Sequence, residues 1–449
     1  MNEILALSGV AQAALIRNRK ISPEELFQLH VERIEEVNPG IHAVVEVMPF
    51  SAPQDGPFRG VPFSIKDSIE VEGTVCSAGT WGYRNAPRST RDATLVARLR
   101  AAGAVPVART NLPDLLFAFE SNNLIFGRTN NPYDHSRTSG GSSGGEAALI
   151  ASCGSPFGLG SDAAGSVRLP AHYCGIASLK PTSGRLARTG HVPPPGGWVE
   201  GLWQIGPMAR HVEDLQALMP ILLGPDELDR TVIPMPYPGV PLENLRVAYF
   251  TDNGFAEPDL ETHIVVSGAG RALGGVESRP PGVERSHELE MRFLGADGGD
   301  GVREFLTSIG SDRTHPLLDS WLEKLEEYRT DLEGFASCWA LIDQLRASMH
   351  AYLSLYDVIL SPVSGSPALL HGTSIEEQNF KGFSYTMTHN LTGWPAAVVR
   401  CGTSTTGLPI GVQIAAAPWR EDIVLAVARR LEEIFGGWRP APDAILVNP

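Results

Sequence analysis

Apolar positions along the chain alternate between helical and strand-like periods. Ser22, Pro23 and Glu25 form a helix start: an N-cap, a proline at the first helical position and the far half of a capping box. Leu26, Leu29, Val31 and Ile34 follow, and Asn38-Pro39-Gly40 reads as the stop. Two β-branched runs flanked by Pro and Gly, 44–47 and 61–65, predict strands, and the second delivers Lys66. Residues 92–102 place Leu95, Val96 and Leu99 at helical spacing ahead of Gly103, and 104–108 predicts the strand behind them. Helix feeding directly into strand is the signature of an α/β protein.

Residues 120–170 break this rhythm with Gly, Ser, Asn and Thr, although 146–152 can form a short helix. Small, flexible residues in mid-chain point to backbone shaped around a ligand. The stretch 225–350 predicts a strand at 247–250, a Gly/Pro/Glu-rich loop near 274–302 and helices within 316–351, and it suggests no chemistry. Order returns with strands at 358–360, 396–401 and 410–415. A helix over 421–435 then carries Ile423, Val427, Leu431 and Ile434 on one face and stops at Gly436. No Pro/Ser-rich linker divides the chain, so 1–449 reads as one large α/β domain, with core motifs in 60–215 and 356–436 and a variable stretch at about 225–350.

Charge narrows the partners. With 36 Lys plus Arg against 51 Asp plus Glu the formal charge is -15, and no basic stretch exists, so neither nucleic acid nor an anionic membrane surface is expected as a partner. A small-molecule ligand fits better. The start of the chain carries Glu3 where a secretory peptide needs bases, and no apolar run approaches the roughly 18 residues of a membrane span. The expectation is a cytoplasmic protein without stable membrane insertion. Cys76, Cys153, Cys174, Cys338 and Cys401 are scattered without a C-x-x-C and read as buried thiols. The 12 histidines contain no H-E-x-x-H, so neither a zinc site nor another metal is expected.

Candidate chemistry gathers in the segment from Thr138 to Glu146, which holds four Gly and three Ser. As a phosphate-binding loop it lacks the G-K-[ST] ending. As a nucleophile elbow, Gly140 to Gly144 satisfies G-x-S-x-G, but the residues before it make a poor central strand. A third reading adds Gly160 to Arg168. In a turn of small residues, successive backbone N–H groups can form an oxyanion hole around Ser166. That serine needs a base, and a partly buried Lys66 acting through Ser142 supplies one. Plainer alternatives stand beside this: Lys66 as half of a solvated pair with Asp67, and Ser166 as a helix cap. Asp162 and Arg168 are expected to pair and hold the turn.

The combination Gly141-Ser142-Ser143-Gly144-Gly145, Gly160 through Ser166 to Arg168, and Cys174 through Pro181 to Thr182 strongly resembles the amidase signature family. Gly60 to Asp67 looks like the family's lysine motif, and Gly127 to Pro132, Gly206 to Arg210, Asn390 to Ala396 and Gly407 to Gln413 fit as well. Only about 225–350 lacks a match. The resemblance implies a single α/β/α domain around a large mixed sheet and a cofactor-free hydrolase cleaving a linear carboxylic amide. It implies Ser166 as nucleophile, Ser142 as bridging serine in a cis peptide, and Lys66 as base. The amides of Ala163, Ala164, Gly165 and Ser166 would bind the oxyanion, and Leu116, Phe117, Phe119 and Ser143 would contact the substrate, an amide of a hydrophobic acyl or aryl group. One departure is Ala164, where many members carry a second glycine before the nucleophile. Two alternatives remain: a glutamine-amidotransferase subunit that passes ammonia to a partner, and a catalytically silent binding protein. For oligomeric state, a homodimer is the general expectation.

Overall fold

Strand alternation sorts the apolar side chains onto two faces, and that sorting sets the architecture. In the computed structural model, which describes residues 3–194, 196–239 and 244–441, Ala397 and Val399 enter one buried cluster while Val398 between them enters another. Ile205 and Ala209 likewise face one side and Met208 the other. Helices Thr94–Ala101, Val212–Leu222 and Glu421–Phe435 close the first cluster, and Pro23–Ile41, Gly144–Ala151 and Arg168–Cys174 close the second. The fold is α/β, with helices on both faces of a large mixed sheet.

In chain order the strands are β1 (Val44–Val47), β2 (Pro62–Lys66), β3 (Val105–Thr110), β4 (Asn122–Asn123), β5 (Gly127–Arg128), β6 (Asn130–Asn131) and β7 (Asp134–Thr138). They continue with β8 (Phe157–Asp162), β9 (Ala177–Lys180), β10 (Gln204–Ala209), β11 (Val247–Tyr249) and β12 (Val276–Glu277), and end with β13 (Val358–Pro362), β14 (Ala396–Thr403) and β15 (Pro409–Ala416). Among the described residues, 11 of these form one sheet in the order β1-β3-β2-β8-β10-β9-β14-β15-β13-β11-β12. The remaining four make two small ribbons, β4 with β5 and β6 with β7. The segment leading into the Gly/Ser-rich turn is therefore a peripheral ribbon rather than a central strand. Two parallel neighbours position the site: β2 and β8 pair through Ser64 and Gly158, and their carboxyl ends present Lys66 and Ser161-Asp162 on the same side of the sheet.

Two expectations need correction. The helix begun at Pro23 does not stop at Asn38 but runs through Pro39 to Ile41. Proline forfeits only one hydrogen bond this close to the end, and the last turn is secured by buried Ile41, by the His42 N–H donating to Asn38 O, and by the Asn38 side chain, which accepts from the amides of Ala43 and Val44. The supposed loop at 274–302 contains strand β12, helix Ser286–Leu294 and the start of helix Asp300–Ser308. Its prolines and glycines stand outside helix Ser286–Leu294, and Glu288 and Arg292 of that helix reach solvent while Leu289, Met291 and Phe293, and with them the carboxyl of Glu290, are buried. All five cysteines are buried and free. Among the described residues no helix is long and apolar enough to cross a membrane.

Candidate active site

Every residue of β2 is buried, and alternation decides where each points. Phe63 and Ile65 enter the apolar cluster beneath the sheet, which leaves Ser64 and Lys66 on the opposite face. Lys66 Nζ lies 2.7 Å from Ser142 Oγ, 3.0 Å from Ser143 Oγ and 3.1 Å from Ser161 Oγ. Three hydroxyls thus surround a fully buried amine. Burial pushes the ammonium well below its ordinary pKa, against the opposing pull of the Asp162 and Glu146 charges. Asp67 takes no part: it pairs with buried Arg109, whose Nε donates to Oδ1 at 2.8 Å, so the solvated Lys66–Asp67 pair does not form.

The Gly/Ser-rich segment ends in helix Gly144–Ala151, and the Gly141–Ser142 peptide bond just before that helix is cis. Ser143 N–H donates to Ser166 O at 3.1 Å, stitching the two serine segments together. Ser143 Oγ donates to Ser161 O at 3.2 Å and sits behind Lys66. It does not line the cavity described below, so its expected contact with substrate is corrected to a contact with the lysine. Glu146, on the first turn of the helix, is fully buried and accepts from Ser64 Oγ and, at 2.6 Å, from Thr110 Oγ1. Burial raises its pKa to about 7 against those two hydrogen bonds.

Past the end of β8 the chain turns through Ala163, Ala164 and Gly165 to Ser166. Asp162 organises this turn: Oδ1 accepts from Gly165 N–H at 2.9 Å, Oδ2 from Val167 N–H at 3.1 Å, and Arg168 Nη2 lies 2.8 Å from Oδ1. Arg168 also donates to Thr386 O, Gln413 Oε1 and Asn390 Oδ1. Burial alone would raise the Asp162 carboxyl, but the Arg168 guanidinium overrides it and holds the group well below the usual carboxylate range. Gly165 takes the positive φ of the turn, 119°, with Thr386 packed where a Cβ would stand, and Ala164 keeps a negative φ. The extra methyl at 164 is thus accommodated without strain. Among the described residues the amides of Ala163, Ala164 and Ser166 have no protein acceptor, whereas that of Gly165 is committed to Asp162. Of the four amides expected to bind an oxyanion, three are therefore without an acceptor among the described residues.

Ser142, Ser161, Ala163, Ala164 and Ser166 form the floor of a cavity of about 420 Å³. Leu116, Phe117 and Phe119 line one wall, although Phe119 is mostly spent on packing, its ring 4.0 Å from that of Phe383. The amidase family model matches residues 25–425. The chain belongs to the amidase signature family. It is 30% identical to fatty-acid amide hydrolase 2 of Homo sapiens, over 97% of this chain and 90% of the human one. It is also 30% identical to a glutamyl-tRNA(Gln) amidotransferase subunit of Synechococcus sp., over 96% and 98% of the two chains. A solved 6-aminohexanoate cyclic dimer hydrolase in complex with its substrate superposes with a TM-score of 0.87 at 26% identity, covering 99% of this chain and 100% of the other. The protein is an amide-hydrolysing enzyme.

In this amidase much of the cavity comes from stretches where the sequence alone indicated no chemistry. Leu294, Val302, Phe305, Trp321 and Leu325 extend the apolar lining, and His191, Trp198 and Trp203 add three further rings or ring edges to it. The helical spacing of Leu318, Trp321, Leu322 and Leu325 was the available signal, but it marks a buried face without saying that the face borders a ligand. Among the described residues no Lys or Arg lines the cavity. Its two carboxylates are occupied: Asp162 by Arg168, and Asp297 by the N–H groups of Gly299 and Gly301, each at 2.8 Å.

Proposed function

We propose that the amidase cleaves a linear carboxylic amide with a hydrophobic acyl or aryl group, by way of an acyl-enzyme on Ser166. The observation that carries this reading is a desolvated Lys66 at 2.7 Å from Ser142 Oγ, on the floor of a cavity that Ser166 shares. A neutral amine has one lone pair and two N–H bonds. Ser143 Oγ–H is taken by Ser161 O, so Ser143 accepts from Nζ, and the lone pair is left for the proton of Ser142. Ser142 in turn takes the proton of Ser166 as its Oγ attacks the carbonyl. The amides of Ala163, Ala164 and Ser166 receive the oxyanion, and Ser142 returns a proton to the departing nitrogen, which an amine requires before it can leave. Water activated through the same relay then releases the acid.

The likeness to an amidotransferase subunit raises a second reading, ammonia release from glutamine. A largely apolar cavity without a lysine or arginine in its lining among the described residues argues against it, because glutamine presents a carboxylate that needs a cationic partner. Intact-mass analysis after a fluorophosphonate probe tests the assignment. One adduct is expected, lost in Ser166→Ala, with amide turnover falling about a thousandfold or more. Turnover in Ser166→Ala within tenfold of wild type, or glutamine consumed in preference to apolar amides, would replace this reading. A protein that takes no label and hydrolyses nothing is a silent binder.

A further inference from the structure

Residues 191–194 and 196–203 supply a further stretch of the cavity lining, and the construction of that stretch departs from that of a loop. It holds Gly196, Gly197 and Gly201, yet three elements anchor its backbone: Arg188 Nη1 donates to Glu200 O at 2.6 Å, Ser183 Oγ to Gly201 O at 2.7 Å and Asn390 Nδ2 to Leu202 O at 2.9 Å. Its rings are fixed as firmly. The Trp203 indole has the Arg188 guanidinium carbon 4.9 Å from its centroid and the His191 ring at 4.4 Å. His191 Nδ1 faces Pro193 O at 3.1 Å, so it carries the proton, and Nε2 accepts from Ser68 Oγ at 3.2 Å. Trp198 Nε1 donates to Phe293 O at 3.0 Å, pinning the second indole to helix Ser286–Leu294. Both indoles and His191 line the cavity, and a Cβ built on Gly196 or Gly197 would meet nothing within 4 Å, so neither glycine is required by close packing.

We propose that this segment is an aromatic-recognition wall and that the preferred substrates carry a planar, uncharged ring on one side of the amide, with the rest of the molecule against the aliphatic wall. The inference rests on Ser166 as nucleophile. Rings already held in place stack on a substrate without the ordering cost that a mobile loop would impose. A cationic group is disfavoured there: Arg188 already sits over Trp203, Asp162 is paired with Arg168, and Asp297 spends both carboxylate oxygens on the N–H groups of Gly299 and Gly301.

The test compares amides matched in reactivity and size: N-benzyl against N-cyclohexylmethyl octanamide, and N-butyl phenylacetamide against N-butyl cyclohexylacetamide. In the wild type, kcat/KM for one aromatic member should exceed that of its saturated partner by about fivefold or more, the scale of a ring–ring contact. Trp203→Leu should bring that ratio close to one, and Trp203→Phe should keep most of it, which separates loss of the ring from loss of the fold. Benzylboronic against cyclohexylmethylboronic acid, competing with fluorophosphonate labelling of Ser166, reads the same ratio without turnover. No aromatic preference in either pair, or one that survives both Trp203→Leu and Trp198→Leu, overturns the wall while labelling leaves the nucleophile standing. Absence of any label on Ser166 overturns both.

Discussion

Buried among hydroxyls, a lysine gives up its proton far more readily than in solution, and the groups around Lys66 set how readily. Glu146 is the adjustable one. Its carboxyl spans three strands, accepting from Ser64 on β2 and Thr110 on β3 while Gly158 of β8 leaves the room that a Cβ would fill. Its charge favours the protonated lysine. Glu146→Gln should therefore lower the pKa of Lys66, moving the acid limb of the kcat/KM profile on an amide to lower pH. An unmoved limb would make Glu146 a purely structural brace. Lys66→Ala should reduce amide hydrolysis more than hydrolysis of an activated ester, whose leaving group departs without a proton; kcat/KM on matched amide and ester substrates checks this. Lys66, Ser142 and Ser166 were legible because their motifs are spaced along the chain in a recognisable pattern. Ser143 was misplaced for a physical reason: the residue after Ser142 in an irregular turn need not face the same way, and only the fold shows that it faces the lysine.

Helix Gly144–Ala151 follows directly on Ser142 and Ser143, and its entry point is crowded. A Cβ at Gly145 would stand 2.5 Å from both Asn111 N and O and 2.9 Å from Ala43 O, all of them backbone atoms that cannot rotate away. Gly145→Ala should thus shift the whole helix start, costing about 1–3 kcal/mol of stability and about a hundredfold or more in kcat; urea unfolding and kinetics on purified protein check both. Elements with a strong period and good caps were the readable ones. Helix Glu421–Phe435 has the bounds its apolar face indicates, with Gly436 at φ 85° as its stop. Helix Pro23–Ile41 outran its expected end because tertiary packing of the last turn outweighs one missing hydrogen bond. Helix Ser286–Leu294 was hidden, since its buried side mixes Leu289, Met291 and Phe293 with Ser286 and Glu290, a pattern that local sequence assigns to a loop.

Taken whole, the protein buries several histidines that must stay neutral. His30 lies between Gln12 and Gly154 O, and burial lowers its pKa to about 3. Between that value and the unfolded pKa near 6.5 the unfolded chain binds a proton that the native state does not, so the His30 contribution to stability is lost as pH falls below about 6.5, at up to about 1.4 kcal/mol per pH unit. His30→Gln, which has no such proton to take up, should close its stability gap to the wild type between pH 7 and 5 when both are unfolded in urea. A constant gap would mean that His30 titrates in the fold as it does in the unfolded chain. The cavity has a consequence at the same scale. Its floor is cut from the end of β8 and the two turns that carry Ser142 and Ser166, whereas much of its lining is borrowed from His191, Trp198, Trp203 and helices far along the chain. Heritable change can therefore rewrite the diet of the enzyme while leaving its scissors untouched. A mutant library confined to Leu294, Val302, Phe305, Trp321 and Leu325 should return catalysts with new appetites far more often than dead ones.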